Sequence, residues 1–179
     1  MNLYISDLHF GHQWIIAFDN RPFADAEEMD RVQMERWNAK VKDEDDVYIL
    51  GDFACDNEKP ADWYLSRLKG RKHLVIGNHD EETLNNEKAI ACFESVEKLL
   101  QIKDGDKLIT LGHFPMVEWD GCFDGAWHIY GHIHGRRDEV YEFMKTRARS
   151  LNAGCMVNNF TPASFEELVE NNKIFQSVE

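Results

Sequence analysis

Short apolar runs alternate along the chain with longer stretches of mixed polarity. Six runs read as strands, at residues 2–6, 47–50, 73–76, 107–111, 127–130 and 149–152. Each is rich in β-branched, aromatic or leucine residues and bounded by Gly, Asp or Asn. Most are nearly continuous apolar runs, as expected of strands covered on both faces. Helical signatures lie between them. Asp25 with Glu28 three residues later resembles a capping box, and Met29, Val32, Trp37 and Val41 form an apolar stripe behind it. Pro60 suits a first helical turn, Trp63, Tyr64, Leu65 and Leu68 fill the body, and Gly70 is placed to close it in a left-handed conformation. Ser164 with Glu167 marks another start that carries Phe165, Leu168 and Val169 inward. This alternation predicts an α/β architecture, and the absence of a linker-like tract or long repeat predicts one domain over residues 1–179.

Composition narrows the function. With 43% apolar and 12% aromatic residues in 179, the chain can bury a sizeable core. Its 33 acidic against 20 basic residues give a formal charge of −13, which argues against general nucleic-acid binding through a basic surface. No apolar run approaches the roughly 20 residues of a membrane span, and the start of the chain has no export signature. Cys55, Cys92, Cys122 and Cys155 form neither a CxxC knuckle nor a dense disulfide framework, so reduced thiols in the cytoplasm are expected.

The chemistry lies in a pattern repeated five times: an apolar run, one small residue, then a potential metal ligand. It reads Leu3-Tyr4-Ile5-Ser6-Asp7, Tyr48-Ile49-Leu50-Gly51-Asp52, Leu74-Val75-Ile76-Gly77-Asn78, Ile109-Thr110-Leu111-Gly112-His113 and His128-Ile129-Tyr130-Gly131-His132. In α/β sheets, sites lie outside the carboxyl ends of strands, and a glycine there permits a sharp turn that points the next side chain into the crevice. Two of these ends carry a second ligand two residues on, His9 and His134. Asp7, His9, Asp52, Asn78, His113, His132 and His134 exceed the needs of one structural zinc and suit two divalent ions sharing a carboxylate. The abundance of imidazole favours Mn, Fe or Zn over Ca or Mg.

These blocks resemble, in order, the signature of the calcineurin-like metallophosphoesterase superfamily: Asp7-Leu8-His9, Gly51-Asp52, Gly77-Asn78-His79-Asp80, Gly112-His113 and Gly131-His132-Ile133-His134. The longer opening through His12, the stretch Asn20-Arg21-Pro22-Phe23 and the closing Asn152-Ala153-Gly154 are similar to a small bacterial and phage branch. The resemblance implies two packed mixed β-sheets flanked by helices. It also implies one metal on Asp7, His9 and His134, a second on Asn78, His113 and His132, and Asp52 bridging the two. The Ser/Thr protein phosphatases of the superfamily continue the second and third blocks differently, so that activity is not expected.

The implied reaction is phosphate-ester hydrolysis by a hydroxide bridging two cations about 3.5–4 Å apart, with a diester preferred. His79 is assigned to the leaving-group oxygen, with Asp80 orienting its ring. His12 and Arg21 are the candidate phosphate contacts, with a turn-stabilising role for His12 and a loop-fixing salt bridge for Arg21 as the alternatives, and a small phosphorylated compound such as a nucleotide is the expected substrate. A nucleotide phosphatase or pyrophosphatase using the same centre is the second reading, and a non-catalytic protein-binding scaffold the third. His73 and His128 are expected to be structural.

Overall fold

The computed structural model describes residues 1–55 and 59–177. Its elements run β1 (Asn2–Ile5), α1 (Gln13–Asp19), α2 (Ala26–Lys40), β2 (Asp46–Ile49), α3 (Ala61–Leu65), β3 (Arg71–Val75), α4 (Glu81–Leu84), α5 (Glu87–Ile90), β4 (Phe93–Glu97), β5 (Leu99–Asp104), β6 (Lys107–Gly112), β7 (Trp127–Tyr130), α6 (Glu139–Lys145), β8 (Ser150–Asn152) and α7 (Phe165–Ser177). The strands form two four-stranded sheets, ordered β1-β2-β3-β4 and β5-β6-β7-β8. The first is parallel throughout, and the second is mixed because β5 runs antiparallel to β6.

Alternation of side chains along each strand explains the continuous apolar runs. In the first sheet Leu3, Ile5, Val47, Ile49 and Leu74 face a core shared with Trp37, Tyr64 and Leu65 from α2 and α3. Tyr4, Tyr48, Leu50 and Val75 point the other way, onto Ile109, Leu111, Ile129 and Leu151 of the second sheet and Leu168 of α7. Each such side chain contributes roughly 1.5–3 kcal/mol by leaving water. The sheets are joined where Ser6 N–H donates to Ala153 (2.9 Å) and Cys155 N–H donates to Ser6 (2.9 Å).

The six expected strands form, within a residue or two of their predicted limits. β4 and β5 escape prediction because each is exposed along part of its length, so no continuous apolar run is needed. The Asp25 carboxylate accepts from Glu28 N–H at 2.8 Å and caps α2. Ser164 and Glu167 exchange bonds as a full capping box before α7. The helix after Pro60 stops at Leu65, so Gly70 does not close it; the left-handed Gly70 leads instead into β3, where Val41 leaves no room for a β-carbon. None of the four cysteines is in a disulfide. Among the described residues no helix is long and apolar enough to cross a membrane.

Candidate metal centre

Each ligand-bearing turn follows a strand, and the carboxyl ends of β1, β2, β3, β6 and β7 face one cleft. Five ligand residues adopt left-handed backbone: Asp7 (φ 59°), His9 (51°), Asp52 (55°), His132 (68°) and His134 (51°). For residues other than glycine this conformation costs on the order of 1–3 kcal/mol each, and it persists where surrounding bonds over-determine it. Here His9 N–H donates to the Asp52 carbonyl (2.9 Å), His132 N–H to Asp7 Oδ1 (3.0 Å) and His79 N–H to Asp52 Oδ1 (2.8 Å). The sharp turn expected of the preceding glycines is found at Gly51 (φ 84°). At Gly77 and Gly131 φ is ordinary, and the constraint is space: a β-carbon would overlap the Asp52 carboxylate at the first and the Ser6 hydroxyl at the second.

Side chains gather in two groups. One ligand atom each from Asp7, His9, Asp52 and His134 lies within 4.8 Å of all the others, and all four residues are buried. His9 Nε2 stands 3.5 Å from Asp52 Oδ2, and His134 Nε2 stands 3.5 Å from Asp7 Oδ1. In the second group His113 Nε2 lies 3.0 Å from Asn78 Oδ1 and 3.5 Å from Asp52 Oδ2, with the His132 ring 5.1 Å from that of His113. Asp52 therefore borders both groups.

The protonation pattern fits a divalent cation in this cleft. His113 Nδ1 is 2.8 Å from the Leu50 carbonyl, and His134 Nδ1 is 2.7 Å from Asp19 Oδ2, so each ring places its proton on Nδ1. The Nε2 lone pairs then face carboxylate and amide oxygens with no proton to share, an arrangement stable around a cation. Burial first, then the neighbouring His134 and Arg21, pushes His9 well below the ordinary histidine range. Burial and the adjacent His113 bring His132 down to about 4. Both imidazoles are thus neutral at pH 7, the form that binds metal. His134 shifts upward, because the Asp19 hydrogen bond and the Asp7 and Asp19 charges outweigh its burial.

The other expected site residues divide. His79 is exposed at the lip of the cleft, its ring 5.3 Å from His9 and its Nδ1 3.7 Å from Cys55 Sγ. His12 Nδ1 is 3.3 Å from His9 Nδ1, and His12 also lines the cleft. Asp80 does not orient the His79 ring. Its buried carboxylate accepts from the backbone N–H groups of Gly77 (2.7 Å), Phe53 (2.9 Å) and Asp52 (3.0 Å), clamping the second and third ligand turns together. Arg21 is not available as a phosphate contact either. Its guanidinium is fully buried and donates to the carbonyls of Leu8 (3.0 Å) and Asp7 (2.9 Å) and to Asp19 Oδ2 (3.0 Å). His73 and His128 are structural, bonded to Ser95 and Asp46 and to the backbone of Thr110 and Met116, respectively.

One supporting side chain had no recognisable signal in the sequence, and a second lay in a stretch marked only by its resemblance. Asp19, at the end of α1, reaches across 115 positions to hold His134. Asn152 donates to the His134 carbonyl at 2.8 Å while accepting from Gly154 N–H, which gives the Asn152-Ala153-Gly154 stretch its physical role. The resulting cleft encloses about 380 Å³ and is bordered by α1 on one side and by His79 and Arg136 on the others.

Three relatives share this chain's plan. The uncharacterized protein MJ1445 of Methanocaldococcus jannaschii is 34% identical over 97% of this chain and 94% of its own. The gene 66 protein of Mycobacterium phage L5 is 31% identical over 73% of this chain and 76% of its own. The crystal structure of a protein of unknown function, AQ665 from Aquifex aeolicus, superposes with a TM-score of 0.75 at 27% identity, covering 95% of this chain and 98% of that one. No family model matches the chain. The chain therefore belongs to one family with MJ1445 and the phage gene 66 protein, and its ligand-bearing turns stand around one cleft in the order of the metallophosphoesterase signature they resemble.

Proposed function

We propose that this protein is a metal-dependent phosphoesterase using two divalent ions, with a small phosphorylated compound as substrate and a diester preferred. The observation that carries the reading is Asp52, whose carboxylate lies 3.5 Å from His9 on one side and 3.5 Å from His113 on the other, joining two ligand groups in one cleft. Asp7, His9 and His134 would hold one ion and Asn78, His113 and His132 a second, with Asp52 bordering both groups. When bound, such ions supply an activated water and neutralise the phosphoryl oxygens.

The protein's own residues supply position and a proton. Asp80 and the backbone bonds to Asp52 hold the ligand turns rigid, so substrate binding requires little rearrangement. His79, exposed beside the ligand Asn78, gives its ring proton to the leaving oxygen, and His12 contacts the phosphoryl group from the His9 side. The diester preference rests on the compact chain, which offers no cap domain over the cleft among the described residues.

The test is hydrolysis of matched chromogenic phosphodiester and phosphomonoester substrates by metal-stripped protein titrated with Mn, Zn, Ni and Mg, with Asp52→Asn as the blank. Metal-restored turnover that is absent in the blank supports the reading. Two bound metals per chain without turnover of either ester refutes hydrolysis of such esters.

A further inference from the structure

Helix α1 places two large apolar side chains where they contribute nothing to the core. Trp14 is 77% exposed and Phe18 72%, while Ile15 of the same helix is buried. Four residues apart on a helix, they share one face about 5–6 Å apart. Both line the cleft that His9 and His134 floor. The helix is tied to the metal centre itself, because Asp19 at its last turn bonds His134 Nδ1 at 2.7 Å. The helix backbone that carries both side chains is therefore anchored to His134. Two other highly exposed apolar side chains, Val117 and Phe123, do not line this cleft.

Resting on the phosphoesterase reading, we propose that Trp14 and Phe18 form a shelf for a planar ring carried by the substrate, and so determine specificity. Exposed large apolar groups beside a polar site mark a surface that a ligand covers. A ring suits the dimensions better than an acyl chain. The shelf is one helical turn wide, and apart from Ile15 the other residues that line the cleft, among them Asn78, His79 and Arg136, carry polar side chains, so no long apolar trough is offered to a chain. Ring faces stack on indole and phenyl surfaces without a basic groove, which agrees with the −13 formal charge. The ring can belong to a nucleoside or to a simple aryl group, which present the same π-face.

Three p-nitrophenyl diesters test this on the metal-loaded full chain, differing only in the second substituent: thymidine 5′-yl, phenyl or methyl. At least one ring ester is expected to exceed the methyl ester about tenfold in kcat/KM. Trp14→Ala should reduce that ratio at least about fivefold, the lower end of what removal of a stacking face does. Trp14→Phe should restore most of it. Preference for the thymidine over the phenyl ester identifies a nucleoside as the source. A ratio near one in the unaltered protein, or one unmoved by Trp14→Ala, overturns the shelf. Trp14→Ala that converts a dimer to monomers by light scattering, without moving the ratio, also overturns it and assigns the surface to a second copy. If no ester turns over, the phosphoesterase reading fails by itself. The shelf is then judged by calorimetric titration with adenosine 5′-monophosphate and ribose 5-phosphate: at least fivefold tighter binding of the ring-bearing compound supports it, and equal affinity refutes it.

Discussion

Asp19 offers the most direct test of how the fold supports the metal centre. Its carboxylate accepts from His134 Nδ1 (2.7 Å) and from Arg21 Nε and Nη2 (3.1 and 3.0 Å), and the Asp19 and Arg21 side chains are 2% and 0% exposed. Asp19→Asn keeps one acceptor oxygen but leaves the guanidinium charge without its partner. Breaking a buried pair from one side costs roughly 3–5 kcal/mol, and the retained oxygen places this change near 3. At about 2–4 °C per kcal/mol for a chain of this size, the metal-free protein should melt about 6–12 °C lower. The imidazole of His134 also loses the carboxylate that fixes its proton on Nδ1. Loss of such a partner lowers metal affinity about 10- to 100-fold. Differential scanning calorimetry of the stripped protein and competition against a chelator of known affinity read the two effects separately. A melting temperature within about 2 °C of the parent, with unchanged metal affinity, would show that Asp19 neither neutralises Arg21 nor orients His134.

Further substitutions separate chemistry from architecture. His79→Ala should lower turnover about 10²- to 10⁴-fold while leaving the melting temperature nearly unchanged, because the side chain is exposed; a large loss of stability would reassign His79 to structure. Asp80→Ala should do the reverse in the metal-free protein, removing about 3 kcal/mol or more as three backbone N–H groups lose their acceptor, and an unchanged urea midpoint refutes the clamp. Gly131→Ala should destabilise by about 1–3 kcal/mol through overlap with Ser6, read from the same denaturation curves, and a neutral result shows that the turn can shift. The Arg71 guanidinium beside Asp46, assisted by His73, holds the Asp46 carboxyl below its ordinary range. Its contribution is therefore complete above the unfolded carboxyl pKa of about 4 and is lost as pH falls through the lower folded value. Asp46→Asn should flatten that acid limb in urea midpoints measured across pH, and an identical slope in the variant removes Asp46 from the account.

How much of this was legible in the sequence differs by element. The four central strands, with β1 and β8, could be read because each is buried along most of its length, a demand that leaves a nearly continuous apolar run. The partly exposed β4 and β5 had no such demand, and the short α1 carries Trp14 and Phe18 on its wet side, where periodicity misleads. The seven candidate ligands could be picked out because five come within three residues of a strand end and His9 and His134 follow Asp7 and His132 by two residues, so local geometry aims them at one edge. Asp80 and Arg21 show the limit: a carboxylate next to a histidine and an arginine near a phosphate site suggest chemistry, yet burial turned both inward to bond backbone.

Local spacing along the chain thus determined which residues can meet at the strand ends and that they carry nitrogen and oxygen donors. Only the tertiary structure decided which side chains hold those donors in place. Asp19 reaches His134 across 115 positions, and Asp52 meets His113 because two sheets pack face to face. Such contacts depend on how layers close around the core, and no short stretch of sequence contains that information. The same closure set Trp14 and Phe18 beside the ligands, exposed to solvent, and left Arg21 without any.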